Sequence, residues 1–193
     1  MSQECFPSID EDARKLDRWL KFETAVFICN YKKCCACAAG VLLDLWQIHA
    51  VCQNMGEVDR ATIISYVLAH EKAHCLQART YGGWDVLLQQ SKLYELQADY
   101  IAGAWIGVNL LTKDLNHLDI AKAAFAVGGN TLAATHPTGE HRMKAVIEGL
   151  RSAALILHAQ SAGGCIQDGR PIDEGIVVDE LLASALKYAS EIQ

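Results

Sequence analysis

No apolar run in this chain approaches the length that crosses a bilayer. Its two most apolar stretches, Cys34–Leu43 and Ile101–Leu111, fall well short of the roughly 20 residues a spanning helix needs. A leader is also missing from MSQECFPSIDEDARK, where no basic segment precedes an apolar core, so no secretory signal is expected. Positive charge is scarce: the net charge is −6 over 193 residues, with no basic stripe to meet a phosphate backbone, which argues against a nucleic-acid partner. Internal repeats and low-complexity tracts are absent. What remains, 51% hydrophobic and 21% charged residues, is the composition of a globular protein rather than a disordered one. The expectation is a soluble, cytoplasmic protein forming one domain over residues 1–193, long enough to bury a core without staples.

Cysteine is plentiful instead, at Cys5, Cys29, Cys34, Cys35, Cys37, Cys52, Cys75 and Cys165. Without a leader, a reducing compartment is expected and the even count does not imply disulfides. Cys34-Cys35-Ala36-Cys37 could bind a soft metal. Its spacing is tighter than that of an ordinary structural zinc site, and no second Cys or His pair stands at a suitable distance. The alternative is that these thiols are small hydrophobes in a buried strand.

The hydrophobic pattern predicts a mostly helical α+β chain. Ile9–Lys21 reads as a helix with Ile9, Ala13, Leu16, Trp19 and Leu20 on one face. Thr24–Asn30 reads as a strand and Cys34–Ala38 as its antiparallel partner. Gly40 then breaks the run, Val41–Cys52 looks like a short buried helix, and Asn54-Met55-Gly56 like a turn. Asp59 is placed to cap a helix reaching about Arg79, which Tyr81–Asp85 ends. A second long helix is expected over about Asp85–Leu111 and a third over about Thr112–Val127. Gly128–Asn130 is a loop, about Thr138–Gln160 a helix, Gly163–Gly175 turn-rich, and Glu180–Ile192 a last helix. Trp19, Trp46, Trp84 and Trp105 are expected in the core.

His70-Glu71-Lys72-Ala73-His74 carries the clearest chemistry. On a helix, residues four apart project from one face, so His70 and His74 can meet a single Zn²⁺ at about 2.0–2.1 Å. Glu71, beside the first histidine, lies within reach of a water polarised by that ion. The preceding IISYVLAH is apolar, which buries the helix up to its ligand face, and a buried His-Glu-His cluster needs an ion or hydrogen bonds to offset its desolvation. On the next helix Glu95 and Asp99 are again four apart within an apolar run. Glu95 as third ligand leaves a fourth position open for water, as a catalytic site requires. Asp99, one turn on, can accept the free N–H of a ligand histidine and fix its tautomer. One zinc ion per chain is expected. His49 and His158 sit in apolar runs and His117 in a polar turn, and none is expected to act.

HEKAH, 20 intervening residues and ELQAD resemble the gluzincin signature of HExxH followed by ExxxD. The nearer likeness is to HtpX-like and CAAX-prenyl-protease-type zinc metallopeptidases. SYVLAHEKAH at Ser65–His74 is similar to their active-site helix, and CAAGVLLDL at Cys37–Leu45 to the strand-then-helix segment before it. Thr135-His136-Pro137 followed by Arg142 resembles their downstream THP…R element, and ELQADYIAGAW resembles a segment of soluble neutral zinc metallopeptidases. The likeness spans about Phe22–Gly149, leaving 150–193 as a C-terminal extension. Three features depart from the pattern or add to it: the membrane helices of the integral-membrane members are absent, Lys72 is expected to put a cation near the cleft, and Cys75 could make the site redox-sensitive.

The resemblance implies a zincin-like fold, with a small early β-sheet packed against the active-site helix and a second ligand-bearing helix. It also implies an endopeptidase in which Glu71 is the general base. His136 and Arg142 enter as further catalytic candidates: either could approach the oxyanion or anchor the helix that closes the cleft, and Arg142 could instead take a packing role, paired with a buried carboxylate such as Asp99. Tyr81, Tyr94 and Tyr100 are candidate oxyanion donors. The early strands, Thr24–Cys29 or Cys34–Ala38, would hold an extended peptide by β-augmentation. The expected partner is a specific peptide or protein substrate. Two rivals stand beside this reading, an amidohydrolase acting on a non-peptide amide and a non-catalytic, zinc-stabilised protein-binding domain.

Overall fold

A computed structural model of the chain describes residues 6–29, 34–55, 59–109, 117–126, 136–162 and 178–192. It is mostly helical, with one small sheet near the start. Helix α1 (Phe6–Leu20) buries Ile9, Ala13, Leu16, Trp19 and Leu20 along one side, as the spacing predicts. Strands β1 (Val26–Cys29), β2 (Cys35–Cys37) and β3 (Gly40–Asp44) follow.

The sheet order is β1-β3-β2, with β3 parallel to β1 and antiparallel to β2. The sequence predicts β1 and β2 as direct partners and a helix from Val41. Instead β3 lies between them, and α2 (Leu45–Met55) begins only after it. Val41, Leu43 and Asp44 are all completely buried, so this central strand shows no alternation, and periodicity cannot separate such a run from a buried helix. Gly40 opens β3 rather than breaking the run. A side chain there would stand 2.3 Å from the Ala25 carbonyl oxygen, which Val41 N–H uses as its acceptor at 2.8 Å. Asp44 then caps α2, its carboxylate accepting the Gln47 amide at 2.9 Å. Asn54 and Met55 belong to this helix rather than to a turn, and Gly56 lies outside the described residues.

Helix α3 (Arg60–Tyr81) is buried on most of its circumference. Asp59 caps it, accepting from the Ala61 and Thr62 amides, and Gly82 in the left-handed region (φ 93°) closes it. The helix predicted over about Asp85–Leu111 is two helices, α4 (Trp84–Gln89) and α5 (Ser91–Asn109), because Gln90 leaves helical dihedrals (φ −126°, ψ 44°). The break lets α4 bury Leu87 against Ala78 and Tyr94 while α5 follows its own course into the core. Helix α6 (His117–Ala126), α7 (Gly139–Ala162) and α8 (Val178–Ile192) complete the described elements. The predicted loops Gly128–Asn130 and Gly163–Gly175 lie outside the described residues, as does the start of the third helix, Thr112–Asn116.

The sheet packs on α3 through β2 and β3, and α5 packs on α3, α7 and α8. Leu181, Leu182 and Ala185 of α8 share one core with Ile63, Leu68 and Ile101. Trp19 and Trp105 pack there as a tilted pair, ring centroids 5.5 Å apart. Trp46 does not: it is 58% exposed, and Trp84 is only half-buried. Among the described residues no helix is long and apolar enough to cross a membrane.

Helices α5 and α7 approach almost to backbone contact. A Cβ on Gly103 would lie 2.2 Å from the Val146 carbonyl oxygen, and one on Gly149 2.0 Å from that of Tyr100. Since the obstacles are backbone atoms, no side-chain rotation relieves them. Gly103→Ala is expected to destabilise the fold by about 1–3 kcal/mol through overpacking, measured as a lowered urea midpoint. An unchanged midpoint would show that the two helices can part without cost.

Candidate metal centre

Three helices converge on one point: α3 brings His70 and His74, α5 brings Glu95 and Asp99, and α7 brings Arg142. His70 Nε2 and His74 Nε2 stand 3.1 Å apart. The Glu95 carboxylate straddles them, with Oε2 3.4 Å from His70 Nε2 and Oε1 3.4 Å from His74 Nε2. Among the described residues this is the one group of histidine, cysteine and carboxylate atoms close enough together to hold a metal ion.

The separations fit a particular class of ion. Ligands set tetrahedrally around zinc at about 2.0–2.1 Å lie about 3.3–3.4 Å from one another, close to the three separations seen here. The donor set, two imidazoles and a carboxylate with room beside them, is also one that zinc accepts. Two imidazole nitrogens this close cannot both present lone pairs unless a cation or a proton lies between them. The electrostatics agree with that demand. Burial alone would lower His70, but Asp99 and Glu95 outweigh it and push it up to about 10. Burial alone would raise Glu95, yet the imidazoles of His136, His70 and His74 hold its carboxyl well below the usual range. The group gathers negative charge around the two imidazoles, and a metal ion displacing the His70 proton would meet that charge.

Asp99 is completely buried and collects partners from two neighbouring helices. Tyr66 donates its hydroxyl to Oδ1 at 2.7 Å. Arg142 donates from Nε to Oδ2 at 2.7 Å and from Nη2 to Oδ1 at 2.9 Å. His70 Nδ1 approaches Oδ1 to 2.9 Å, close enough for an ion pair but off the N–H direction, so the contact is electrostatic rather than a well-formed hydrogen bond. Arg142 thus pairs with Asp99, one of the two arrangements open from sequence. Its Nη2 also comes within 3.5 Å of Glu95 Oε2 and 3.4 Å of His70 Nε2, beside the candidate ligand group. His136 Nδ1 lies 3.3 Å from Glu95 Oε1 with its side chain 49% exposed, while its neighbour Thr135 lies outside the described residues.

A cavity of about 760 Å³ opens over these groups. Glu71 lines it beside the two histidines, together with β2 residues Cys35 and Cys37 and apolar side chains such as Val67 and Trp84. Of the three candidate tyrosines only Tyr94 reaches it. Tyr81 is hydrogen-bonded to Gln97 and Tyr100 to Ser152.

Lys72 does not lie near the cleft. Two residues from His70 it sits about 200° around the helix, fully buried on the opposite face. There it donates to the carbonyls of Ala13 at 3.3 Å and Thr24 at 3.2 Å and to the Asp17 carboxylate. The cysteines form no second metal group among the described residues, and the six that are described are free thiols. Burial pushes Cys34 up to about 12 and Cys75 up to about 11, so both are protonated and poorly reactive near neutral pH. Cys5 and Cys165 lie outside the described residues. His49 makes a contact of 2.5 Å with Arg60 and does not line the cavity, and the side chains of His117 and His158 are not among those described.

Sequence reasoning passed over Tyr66 and Gln77. Each lies one turn from a ligand histidine on α3: Tyr66 four before His70, Gln77 three after His74, its Oε1 2.7 Å from His74 Nδ1. Asking which residues on the same helix face could satisfy the outer nitrogen of each imidazole, or its partner, would have found both.

No protein-family model, no curated protein and no solved structure matches the chain.

Two outcomes follow from the geometry. Freshly purified protein is expected to carry one zinc per chain by elemental mass spectrometry, and His74→Ala to lose it. Arg142→Leu leaves Asp99 buried beside a missing cation and is expected to cost about 3–5 kcal/mol, read as a shift in urea unfolding. A shift of a few tenths would show that Tyr66 and His70 suffice to hold that charge.

Proposed function

We propose that the chain is a zinc metallopeptidase of gluzincin type that cleaves a specific peptide or protein segment. The observation that carries the reading is the place of Glu71: it lines the cavity immediately beside His70, His74 and Glu95 without belonging to the ligand group. A purely structural ion would need the three ligands but not this acid. On this reading His70, His74 and Glu95 hold zinc, which when bound supplies a Lewis acid that lowers the pKa of water toward neutrality. Glu71 takes the proton of the attacking water and returns it to the leaving amine. Asp99 orients His70 from behind. Arg142 keeps Asp99 ionised and presents Nη2 toward the Glu95 side of the centre, while exposed His136 stands at the cavity mouth within reach of a developing oxyanion.

The sheet supports a peptide rather than a small amide as substrate. β2 is an edge strand, and Cys35 and Cys37 line the cavity. An extended chain could therefore add to β2 and pass over the three ligands, a mode open to a backbone but not to an isolated amide. β1 is the other edge of the sheet, and none of its residues lines that cavity. A zincin-like arrangement is part of this proposal.

Glu71→Gln is expected to retain zinc and lose peptide hydrolysis by about 10²–10⁴-fold, followed by mass spectrometry of a peptide library incubated with wild type and variant. Undiminished cleavage by the zinc-loaded variant would remove Glu71 as the base. A zinc-loaded wild type that cleaves small amides but no peptide would favour the amidohydrolase.

A further inference from the structure

The two ligand imidazoles are backed in different ways. His70 turns its outer nitrogen to the Asp99 carboxylate, which can only accept. His74 turns its own to Gln77, and a primary amide can present either an acceptor oxygen or a donor nitrogen. Which end faces His74 decides which imidazole nitrogen carries the proton, and so whether Nε2 offers a lone pair to a metal.

Buried neighbours decide it. Gln77 and Gln97 are both completely buried. Gln77 Nε2 donates to the Tyr94 backbone carbonyl at 2.8 Å and to Gln97 Oε1 at 2.9 Å. Gln97 Nε2 in turn donates to the Leu182 carbonyl of α8 at 2.8 Å and to the Tyr81 hydroxyl at 2.7 Å. Backbone carbonyls only accept, so the nitrogen end of each amide must face its carbonyl. Reversing Gln77 would set its oxygen against the Tyr94 oxygen, and reversing Gln97 would do the same at Leu182. Both donor hydrogens and the oxygen of each amide are used in this one orientation, which leaves Gln77 Oε1 as the acceptor 2.7 Å from His74 Nδ1.

We propose that Gln77 and Gln97 are positioning residues for the metal centre. They form a polar relay anchored on the carbonyl of Leu182 and ending at His74, which it holds as the Nδ1–H tautomer with the Nε2 lone pair toward His70 and Glu95. The proposal rests on the metal-ligand reading of His70, His74 and Glu95 and is independent of whether the site cleaves peptides. It draws α8, a helix in which sequence reading finds no motif, into the support of a ligand two hydrogen-bonded side chains away. Because its last acceptor is a neutral amide, the relay fixes geometry without adding a second buried charge behind the ligands.

The test combines zinc affinity with the proton position. By competition against a chromophoric chelator, Gln77→Met, which deletes the acceptor, is expected to weaken zinc binding about 10–100-fold. Gln77→Glu keeps an acceptor for Nδ1–H while losing the donors to Tyr94 and Gln97, and is expected to restore affinity to within a few-fold of wild type. If the side chain served packing alone, the buried charge of Glu would be at least as harmful as Met, and that ranking would overturn the proposal. Long-range proton–nitrogen correlation spectra of histidine-labelled wild type need no variant. They are expected to show His74 protonated at Nδ1 in the zinc-loaded protein and in the neutral, metal-free protein. Protonation at Nε2, or zinc carried on Nδ1, would overturn the relay. Wild type that takes up no zinc would instead overturn the metal reading, whichever tautomer the metal-free spectra show.

Discussion

Asp99 carries a negative charge with no access to water at the junction of α3, α5 and α7. An ion in that position is tolerated only when each lone pair meets a donor. Here Tyr66 and the fork of Arg142 supply them, and His70 Nδ1 adds an electrostatic contact at 2.9 Å. Arg142 and His70 hold the Asp99 carboxyl below its ordinary range against the pull of burial. The close approach of α5 and α7 where Gly103 meets Val146, one turn from Asp99 on α5 and one turn from Arg142 on α7, sets the distance over which the fork can reach. The candidate metal centre is thus an outgrowth of a packing arrangement: small residues bring two backbones together, their contact aligns a carboxylate with a guanidinium, and that pair meets His70.

What could be read from sequence was whatever depends on one helix at a time. His70 with His74, and Glu95 with Asp99, share faces because of the helical repeat alone, and the sequence gives each pair without knowledge of the rest. That α3 and α5 would face each other followed from burial on both. What escaped depends on partners distant along the chain. β3 looks like a helix because β1, β2 and α3 leave four of its five residues buried, with Leu42 only partly so. Gln90 interrupts a pattern whose apolar spacing runs on through it. The role of Arg142 stayed open between two arrangements because it turns on the approach of α7. Lys72 illustrates the opposite error: its proximity to the motif suggested the cleft, while the rotation per residue sends it to the far side.

The cysteines show how burial changes chemistry without changing composition. Cys34 sits with its sulfur between the amide and carbonyl of Asp44, accepting at 3.2 Å and donating at 3.6 Å. Such a thiol acts as part of the packing of β3 against the start of α2. Cys75 follows the candidate ligand His74 in sequence, yet it lies on a face of α3 that packs into the core. Proximity in sequence to reactive groups therefore confers no reactivity on either.

Lys72 has a consequence for the mechanics of α3. Its ammonium is tethered to α1 through Ala13 and Asp17 and to the segment before β1 through Thr24, while elsewhere on the same helix His70 meets Asp99 and Gln77 donates to the Tyr94 carbonyl and to Gln97 of α5. Anchors on both sides of a cylinder resist torsion about its axis. A side-chain atom near the helix surface, about 5–6 Å from the axis, would travel about 1 Å for each 10° of rotation, enough to spoil the meeting of His70 and His74 with Glu95. Tethered on both sides, the helix works as a fixed spindle that keeps the two imidazoles in register with Glu95.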